Sequence, residues 1–442
     1  MSEQNTAANK ATLTISSTLS EQPITNHDRK YGVVVVGAGL AGWGVVDAIR
    51  AKDSDIPITL ITTDNADRYH KPMLTMAISQ NKTAADLIRA TGSDAAKAAN
   101  ITLLAQTEVT DIDAKAQTIS IKSVQASNST NADTTTLDTA VSDTVVEDSI
   151  GYDYLVLAMG AQPIFPQALP KDKVWHVNHI ERFSQLQTAL AQGHQHVAIV
   201  GAGMVGTEIA EDLLKAGHQI TLMDLNSAPL AQMLPEAATW RILQAIESQG
   251  IEFIGQCLVT GIEANNEGDS DSNGSTGNGG YQVHYEQTQA DGQVSSHTLQ
   301  VDHIIASTGL LVDPHLPTQA GMAFDRRTGI AVDASSLRTS IERIYAIGDC
   351  MSIDGVACRY VAPLRAQAAA IADDILQEAH AGYQHKPPMI RLKNKAISVM
   401  VTGSPDAKKP WQTKTQSDDE LVLEQFDAEG VVTATATIKS PN

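Results

Sequence analysis

Cysteine is scarce in this sequence, and long hydrophobic runs are missing. Cys257, Cys350 and Cys358 are the cysteines of the 442-residue chain, and they form neither a CxxC nor a CxxxxC pair. This spacing argues against a redox-active dithiol and against a cysteine-rich metal cluster. We expect the Cys350 and Cys358 thiols to be buried and to pack as small hydrophobic side chains, because no neighbouring residue would lower their pKa.

No stretch of about eighteen uncharged apolar residues occurs, which argues against a membrane-spanning helix. Residues 1–30 are polar and lack the basic start and apolar core of a signal peptide. We expect a cytoplasmic protein without a membrane partner, in which residues 1–30 form a disordered tail.

Positive charge is also in short supply, with 31 Lys and Arg residues against 51 Asp and Glu residues and a formal net charge of −20. A nucleic-acid partner is disfavoured because phosphate binding requires a basic surface. We also expect no metal site among the thirteen histidines.

The chain repeats one pattern, an apolar strand followed by a glycine-rich turn and a helix. The pattern occurs in Gly32–Arg50 and again in His196–Ala216. This duplication predicts an α/β protein with two Rossmann-like nucleotide-binding domains. Two segments rich in Ser, Asp, Asn and Gly, Ser123–Asp148 and Glu267–Gly280, predict long surface loops between strands.

The first glycine fingerprint, GxGxxG, follows a strand of four valines. The first glycine permits a tight turn, the second admits a pyrophosphate to the backbone, and the third lets helix and strand pack closely. The predicted pyrophosphate-binding residues are Gly37, Gly39, Leu40, Ala41 and Gly42. Asp64, after the next strand, is expected to accept hydrogen bonds from an adenosine ribose.

The second fingerprint repeats this arrangement, and its following strand ends at Asp224. The predicted pyrophosphate-binding residues are Gly201, Gly203, Met204, Val205 and Gly206. A carboxylate at Asp224 favours NADH, because it binds the free ribose 2′-hydroxyl and repels a 2′-phosphate. No arginine follows within Leu225–Met233 to accept NADPH.

Further motifs resemble those of two-domain flavoprotein reductases. Tyr152–Pro163 (YDYLVLAMGAQP) and Val301–Gly309 (VDHIIASTG) are similar to the segments that close their nucleotide-binding domains, and Ile344–Cys350 (IYAIGDC) is similar to their late FAD motif. Arg68–Ser79 (RYHKPMLTMAIS) resembles the same region of rubredoxin reductases and flavorubredoxin reductases. The resemblance covers nearly the whole chain from Tyr31 onward.

This resemblance implies an FAD domain in residues 31–185 and 303–378, an NAD domain in residues 186–302 and a C-terminal β-rich domain in residues 379–442. It implies that Asp349 holds the FAD ribityl chain, that Lys71 and Pro72 lie beside the flavin, and that Glu208 lies near the nicotinamide. A cation such as Lys71 would stabilise the anionic reduced flavin. The other implied cofactor contacts are Val109, Ala158, Gly160, Gly309, Gly348, Val361, Pro363 and Gln367. Glu211 and Asp212 are expected to face solvent.

The chain also departs from related families. Thr75 and Met76 stand where reductases with a thiol relay carry a cysteine, so electrons should leave directly from the flavin. Ferredoxin reductases of aromatic oxygenases show an Arg-Pro-Pro-Leu-Ser-Lys run, whose second proline and final lysine are Met73 and Met76 here.

The resemblance therefore predicts electron transfer from NADH through FAD to a small acidic carrier, with rubredoxin favoured. Reduction of a ferredoxin or a flavorubredoxin, and a flavoprotein redox sensor, are the alternatives. Four lysines of the C-terminal region are candidates for a basic docking rim, although they could equally be solubilising charges. They are Lys393, Lys395, Lys408 and Lys409.

Overall fold

A computed structural model describes residues 31–125, 144–265, 280–379, 381–386, 389–406 and 409–440. The expected tail, residues 1–30, lies outside the described residues. The helices are α1 (Leu40–Arg50), α2 (Ala84–Leu87), α3 (Gly92–Ala98), α4 (Ile180–Leu190), α5 (Met204–Lys215), α6 (Glu236–Ser248), α7 (His315–Gln319) and α8 (Leu364–Leu376), with 3-10 helices at Lys71–Met76 and Gly348–Cys350.

The strands are β1 (Val33–Val36), β2 (Ile58–Ile61), β3 (Arg68–Tyr69), β4 (Ile88–Ala90), β5 (Thr102–Leu104), β6 (Thr107–Asp113), β7 (Thr118–Gln125), β8 (Thr144–Gly151), β9 (Tyr154–Leu157), β10 (Gln162–Pro163), β11 (His196–Val200), β12 (Gln219–Met223), β13 (Glu252–Ile254), β14 (Cys257–Ala264), β15 (Tyr281–Thr288), β16 (Val294–Val301), β17 (His303–Ala306), β18 (Leu310–Leu311), β19 (Phe324–Asp325), β20 (Gly329–Val332), β21 (Ile344–Ala346), β22 (Met351–Ile353), β23 (Val356–Ala357), β24 (Met389–Leu392), β25 (Ser398–Gly403), β26 (Gln412–Gln416), β27 (Glu420–Phe426) and β28 (Val432–Lys439).

The chain forms two compact units. The first comprises the described residues within 1–69, 89–161 and 311–386, and the second comprises those within 70–88, 162–310 and 387–442. The division into FAD, NAD and C-terminal domains with the boundaries given above stays a prediction.

The first unit is built on a parallel sheet with strand order β21-β9-β1-β2-β5. The four valines of β1 are all buried, because β1 lies between β2 and β9 and has no solvent-facing side. Antiparallel strands β6-β7-β8 and a further sheet, β19-β20-β22-β23, complete the unit.

The second unit contains a parallel sheet with strand order β13-β12-β11-β17 and an antiparallel sheet β14-β15-β16. Ala198 and Met223 of the parallel sheet share one buried cluster with Val283 of the antiparallel sheet. The C-terminal strands form an antiparallel sheet in the order β24-β25-β28-β27-β26, in which buried and more exposed residues alternate along β27 and β28. The predicted fold class, two Rossmann-like sheets with a C-terminal β-rich part, is confirmed.

The first predicted loop, Ser123–Asp148, is too long. Strand β7 continues to Gln125 and β8 already begins at Thr144, and the two strands pair with each other. Residues 126–143, and residues 267–279 of the second predicted loop, lie outside the described residues. Among the described residues, no helix has the length and apolar character needed to cross a membrane.

Candidate cofactor sites

The glycine loop of the first unit is packed so closely that side chains are excluded at two positions. A Cβ atom on Gly37, where φ is +104°, would lie 2.3 Å from the carbonyl oxygen of Ala158. A Cβ atom on Gly42 would lie 1.8 Å from the carbonyl oxygen of Gly37. Gly39, in contrast, has open space around it and begins α1 without a side-chain cap. The loop thus leaves the N-terminus of α1 open, as binding of an anionic pyrophosphate requires.

The glycine loop of the second unit repeats this geometry closely. A Cβ atom on Gly201, where φ is +107°, would lie 2.3 Å from the carbonyl oxygen of Ser307, and one on Gly206 would lie 1.9 Å from the carbonyl oxygen of Gly201. Gly203 is open and begins α5 without a side-chain cap. Both loops therefore fit a dinucleotide by the same physical criteria.

The two acids that follow the fingerprints differ in position. Asp224 comes directly after β12, and its carboxylate accepts hydrogen bonds from the Ala202 amide at 2.6 Å and the Asn226 amide at 2.8 Å. Asp64 comes three residues after β2 ends, and its carboxylate accepts from the Thr62 hydroxyl at 2.9 Å and the Ala66 amide at 2.8 Å. Asp224 is thus anchored to the glycine loop, whereas Asp64 organises the turn after its strand.

The first unit also brings the late motif to the start of α1. A Cβ atom on Gly348, where φ is +74°, would lie 3.1 Å from the Ala41 side chain and 3.3 Å from that of Leu364 at the start of α8. The half-buried Asp349 follows directly. The first glycine fingerprint, the late motif and the start of α8 therefore lie together in this unit. This arrangement fits the FAD that the sequence implies.

The remaining predicted contacts are distributed between the units. In the first unit, Val109 is buried in β6, Gly160 has φ +67°, Val361 is exposed, Pro363 precedes α8 as its N-cap, and buried Gln367 donates to the Cys358 thiol at 3.2 Å. In the second unit, Met204 and Val205 open α5, Gly309 has φ +104°, and Lys71 and Pro72 begin a 3-10 helix.

Glu208 is the centre of a buried polar cluster in the second unit. Its carboxylate accepts hydrogen bonds from the Thr75 hydroxyl at 2.6 Å, the Lys393 backbone amide at 3.1 Å and the Lys393 ammonium at 2.8 Å. Neither Thr75 nor Lys393 was predicted as a partner of Glu208, since no local pattern connects positions so far apart in sequence.

The prediction that Glu211 and Asp212 face solvent was wrong. Their exposed fractions are 4% and 6%. Glu211 accepts from the Lys395 backbone amide at 2.9 Å and pairs with the Lys215 ammonium. Asp212 accepts from the amides of Ile78 and Ser79 and from the Ser79 hydroxyl, and burial raises the pKa of its carboxyl above the usual value. Both acids are buried because they bind chain segments that lie over α5.

All three cysteines are free and buried, which confirms the prediction for Cys350 and Cys358. Burial raises the pKa of the Cys257 and Cys350 thiols to about 11, and it also raises the pKa of the Cys358 thiol. Such thiols are poor nucleophiles at neutral pH, which disfavours a thiol relay.

His176 and His179 have an HxxH spacing that the expectation of no histidine metal site did not take into account. Nδ1 of His176 accepts from the Asn178 amide at 3.3 Å, and Nδ1 of His179 caps α4 by accepting from the Glu181 amide at 3.3 Å. Within the described ranges, no three His, Cys, Asp or Glu residues are grouped so as to hold a metal ion.

Two parallel sheets, each followed by a glycine loop that fits a dinucleotide, are typical of oxidoreductases that bind two nucleotides. Residues 31–384 match the family model of the pyridine nucleotide-disulphide oxidoreductases, and the chain belongs to this family. It is an NAD(H)-dependent flavoprotein oxidoreductase with FAD and NAD(H) as cofactors.

The chain is similar to proteins named nitric oxide reductase FlRd-NAD(+) reductase. The Salmonella typhi protein is 29% identical over 404 residues, which are 91% of this chain and 94% of the relative. The Escherichia coli (strain K12 / DH10B) protein is 29% identical over 386 residues, 87% of this chain and 89% of the relative.

Two solved structures share the fold. NADH:rubredoxin oxidoreductase from Clostridium acetobutylicum has a TM-score of 0.68 and 19% identity, covering 92% of this chain and 91% of its own. The covalent putidaredoxin reductase-putidaredoxin complex has a TM-score of 0.74 and 21% identity, covering 93% of this chain and 90% of its own.

Proposed function

We propose that the protein is an NADH-dependent reductase of a small one-electron carrier, with rubredoxin as the favoured acceptor. The observation that carries this proposal is the pair of dinucleotide loops of matching geometry in a chain whose cysteines are all buried. Because burial disfavours thiol chemistry, the cysteines have no relay role in this proposal. Bound FAD supplies a ring that accepts two electrons as hydride and releases them one at a time.

The residues have separate roles in this proposal. Gly37–Gly42 and Gly201–Gly206 receive the pyrophosphates of FAD and NADH, respectively. Asp64 and Asp224 bind the adenosine riboses, and Asp349 binds the ribityl side of FAD. Lys71, with Pro72 beside it, provides positive charge next to the flavin, and Glu208 positions the nicotinamide. The other predicted contacts shape the walls of the two sites.

Rapid-mixing kinetics test the proposal directly. The purified FAD-loaded protein is mixed with NADH or with NADPH, and flavin absorbance is followed. Cytochrome c reduction is then measured with and without added rubredoxin. We expect fast reduction by NADH and a rubredoxin-dependent increase in turnover. Slow turnover with every carrier would contradict the proposal and favour a redox sensor.

The relatives favour a second candidate acceptor. Proteins named nitric oxide reductase FlRd-NAD(+) reductase align with 91% of this chain, so we infer a flavorubredoxin as the alternative partner. Comparing kcat/KM for rubredoxin, a flavorubredoxin and a ferredoxin in one assay distinguishes these acceptors. A strong preference for the ferredoxin would instead favour an oxygenase reductase.

The proposed carrier is acidic, and exposed lysines of the C-terminal region would attract it. Lys395 and Lys409 are exposed, whereas the Lys393 ammonium is bound to Glu208. Lys408 lies outside the described residues. The supporting measurement is the salt dependence of the association rate, which falls with ionic strength if these charges steer docking. Use of NADH supports a cytoplasmic location, which cell fractionation tests.

A further inference from the structure

The Lys393 side chain joins three separate stretches of the second unit. Its ammonium donates to the Pro72 carbonyl at 2.8 Å, lies 3.1 Å from the Thr75 hydroxyl and pairs with the Glu208 carboxylate at 2.8 Å. Its backbone amide donates to the other Glu208 oxygen at 3.1 Å. Lys393 therefore contacts both the segment proposed to face the flavin and the acid proposed to face the nicotinamide.

Because Glu208 is buried, its carboxylate depends on the contact with Lys393. The Glu208 side chain is 5% exposed and that of Lys393 is 31% exposed. A carboxylate removed from water needs compensating charge and hydrogen bonds, and loss of one partner leaves the other costly to bury. Lys393 supplies two of the three hydrogen bonds described for this carboxylate, and Thr75 supplies the third.

The two residues that follow Lys393 bind the same helix, α5. The Asn394 side chain is buried and donates to the Thr207 carbonyl of α5 at 3.1 Å. The Lys395 backbone amide donates to Glu211 one turn further along α5. Thr207 and Glu211 lie on either side of Glu208 along α5, so these two contacts hold the backbone of the segment after β24 beside the Glu208 carboxylate.

We propose that Lys393 is a positioning residue for hydride transfer, which fixes the Glu208 carboxylate against the Pro72–Thr75 turn. The C-terminal segment then completes the nicotinamide site, which the glycine loop alone does not form. This inference rests on the proposed function, because it takes Glu208 and Lys71–Pro72 to lie at the reacting rings. Small displacements of positioning groups reduce rates strongly, by up to about a hundredfold.

The test compares Lys393→Met with the wild-type protein. Lys393→Met removes the charge and keeps most of the side-chain length. At equal FAD content and saturating NADH, we expect the rate constant of flavin reduction to fall about tenfold or more, with a change in NADH Kd of less than about threefold. Lys393→Arg should recover most of the lost rate, since it restores a cation.

Lys414→Met is the matched control. Lys414 also pairs with a glutamate, Glu424, at 2.7 Å, but its side chain is 59% exposed. Exposed pairs contribute little, and this variant should reduce its flavin at the wild-type rate. Equal losses in Lys393→Met and Lys414→Met would contradict the inference.

A double variant keeps the inference testable if Lys393→Met is poorly folded. Glu208→Gln removes the negative charge with which the Lys393 ammonium pairs. Flavin reduction in Glu208→Gln/Lys393→Met should therefore be no slower than in Glu208→Gln alone. Fully additive losses would overturn the inference. A wild-type flavin that NADH does not reduce would overturn the proposed function as well, whereas a normal wild-type rate with an equally fast Lys393→Met would overturn the inference alone.

Discussion

Single glycines determine the shape of the two glycine loops, and the role of each glycine follows from the space around its Cβ position. Gly206 has no room for a methyl group, because that atom would lie 1.9 Å from a backbone oxygen. Gly203 has open space and an ordinary φ of −72°. The third glycine therefore serves packing, and the second keeps the approach to the helix open.

Gly206→Ala should consequently lower stability, whereas Gly203→Ala should weaken NADH binding. Gly206→Ala forces the backbone apart, and we expect a loss of about 1–3 kcal/mol in unfolding free energy. Gly203→Ala should leave thermal stability unchanged but weaken NADH binding about tenfold or more, because its methyl group occupies the space proposed for the pyrophosphate. Thermal melts and NADH titrations measure both effects. Equal melting temperatures for the two variants would contradict this assignment.

Asp224→Asn tests the source of nucleotide preference. The amide retains an oxygen that can accept from Ala202, but it has no charge to repel a 2′-phosphate. We expect the ratio of kcat/KM for NADH to that for NADPH to fall about tenfold, mainly through KM. Asp64→Asn, which alters the acid of the other unit, is the control. An unchanged ratio in Asp224→Asn would show that another feature selects the nucleotide.

At the scale of elements, α5 has two functions. Its N-terminus carries the second glycine loop, and three buried acids on its next turns hold other chain segments. Glu208 and Glu211 bind the segment after β24, and Asp212 binds Ile78 and Ser79. This explains why residues 70–88 and the C-terminal strands belong to the same unit as the parallel sheet β13-β12-β11-β17.

Asp212→Ala should loosen residues 70–88. The substitution leaves the amides of the partly buried Ile78 and Ser79 without their acceptor, and such a loss costs about 1–3 kcal/mol only where the group is fully buried. We expect a lower melting temperature and faster amide hydrogen exchange in residues 70–88. Glu247→Ala, which alters an exposed acid of α6, should change neither. Unchanged exchange in Asp212→Ala would exclude this anchoring role.

At the scale of the whole molecule, acid should destabilise the second unit first. Burial lowers the pKa of His176 to about 4, and it also lowers the pKa of His196, His218 and His303. All four residues belong to the second unit. The ordinary value is 6.5, so below that pH the unfolded chain binds protons that the folded chain does not.

The unfolding free energy should therefore fall as the pH drops from 6.5 toward 4. His176→Gln should reduce this slope, because its side chain does not titrate. The pKa values of Asp325 and Asp333 are lowered, so these two residues stop stabilising the fold only below about pH 4. Their effect on the unfolding free energy is therefore separable from that of the histidines. Denaturant titrations from pH 7 to 4.5 measure the slope. A His176→Gln slope identical to that of the wild type would contradict the assignment.

Much of this architecture is predictable from the sequence, since each such feature depends on local requirements. The loop at Gly37 demands positive φ, the valines of β1 indicate a central strand, and the late motif before Asp349 has a recognisable pattern. The burial of Cys350 and Cys358 was predicted from the hydrophobic character of a thiol with no neighbour to lower its pKa. The ends of the first predicted loop were misplaced, because polar residues also occur in the paired strands β7 and β8.

The sequence by itself determined the two glycine loops, the fold class and the buried state of Cys350 and Cys358, because these depend on glycine geometry, on the periodicity of apolar residues and on the hydrophobic character of a thiol. Only the tertiary structure decided the surroundings of the charged residues on α5. Thr75 and Lys393 reach Glu208 from 133 and 185 residues away. Whether a charged side chain is solvated or buried depends on which distant segment covers it, and no local pattern records that choice.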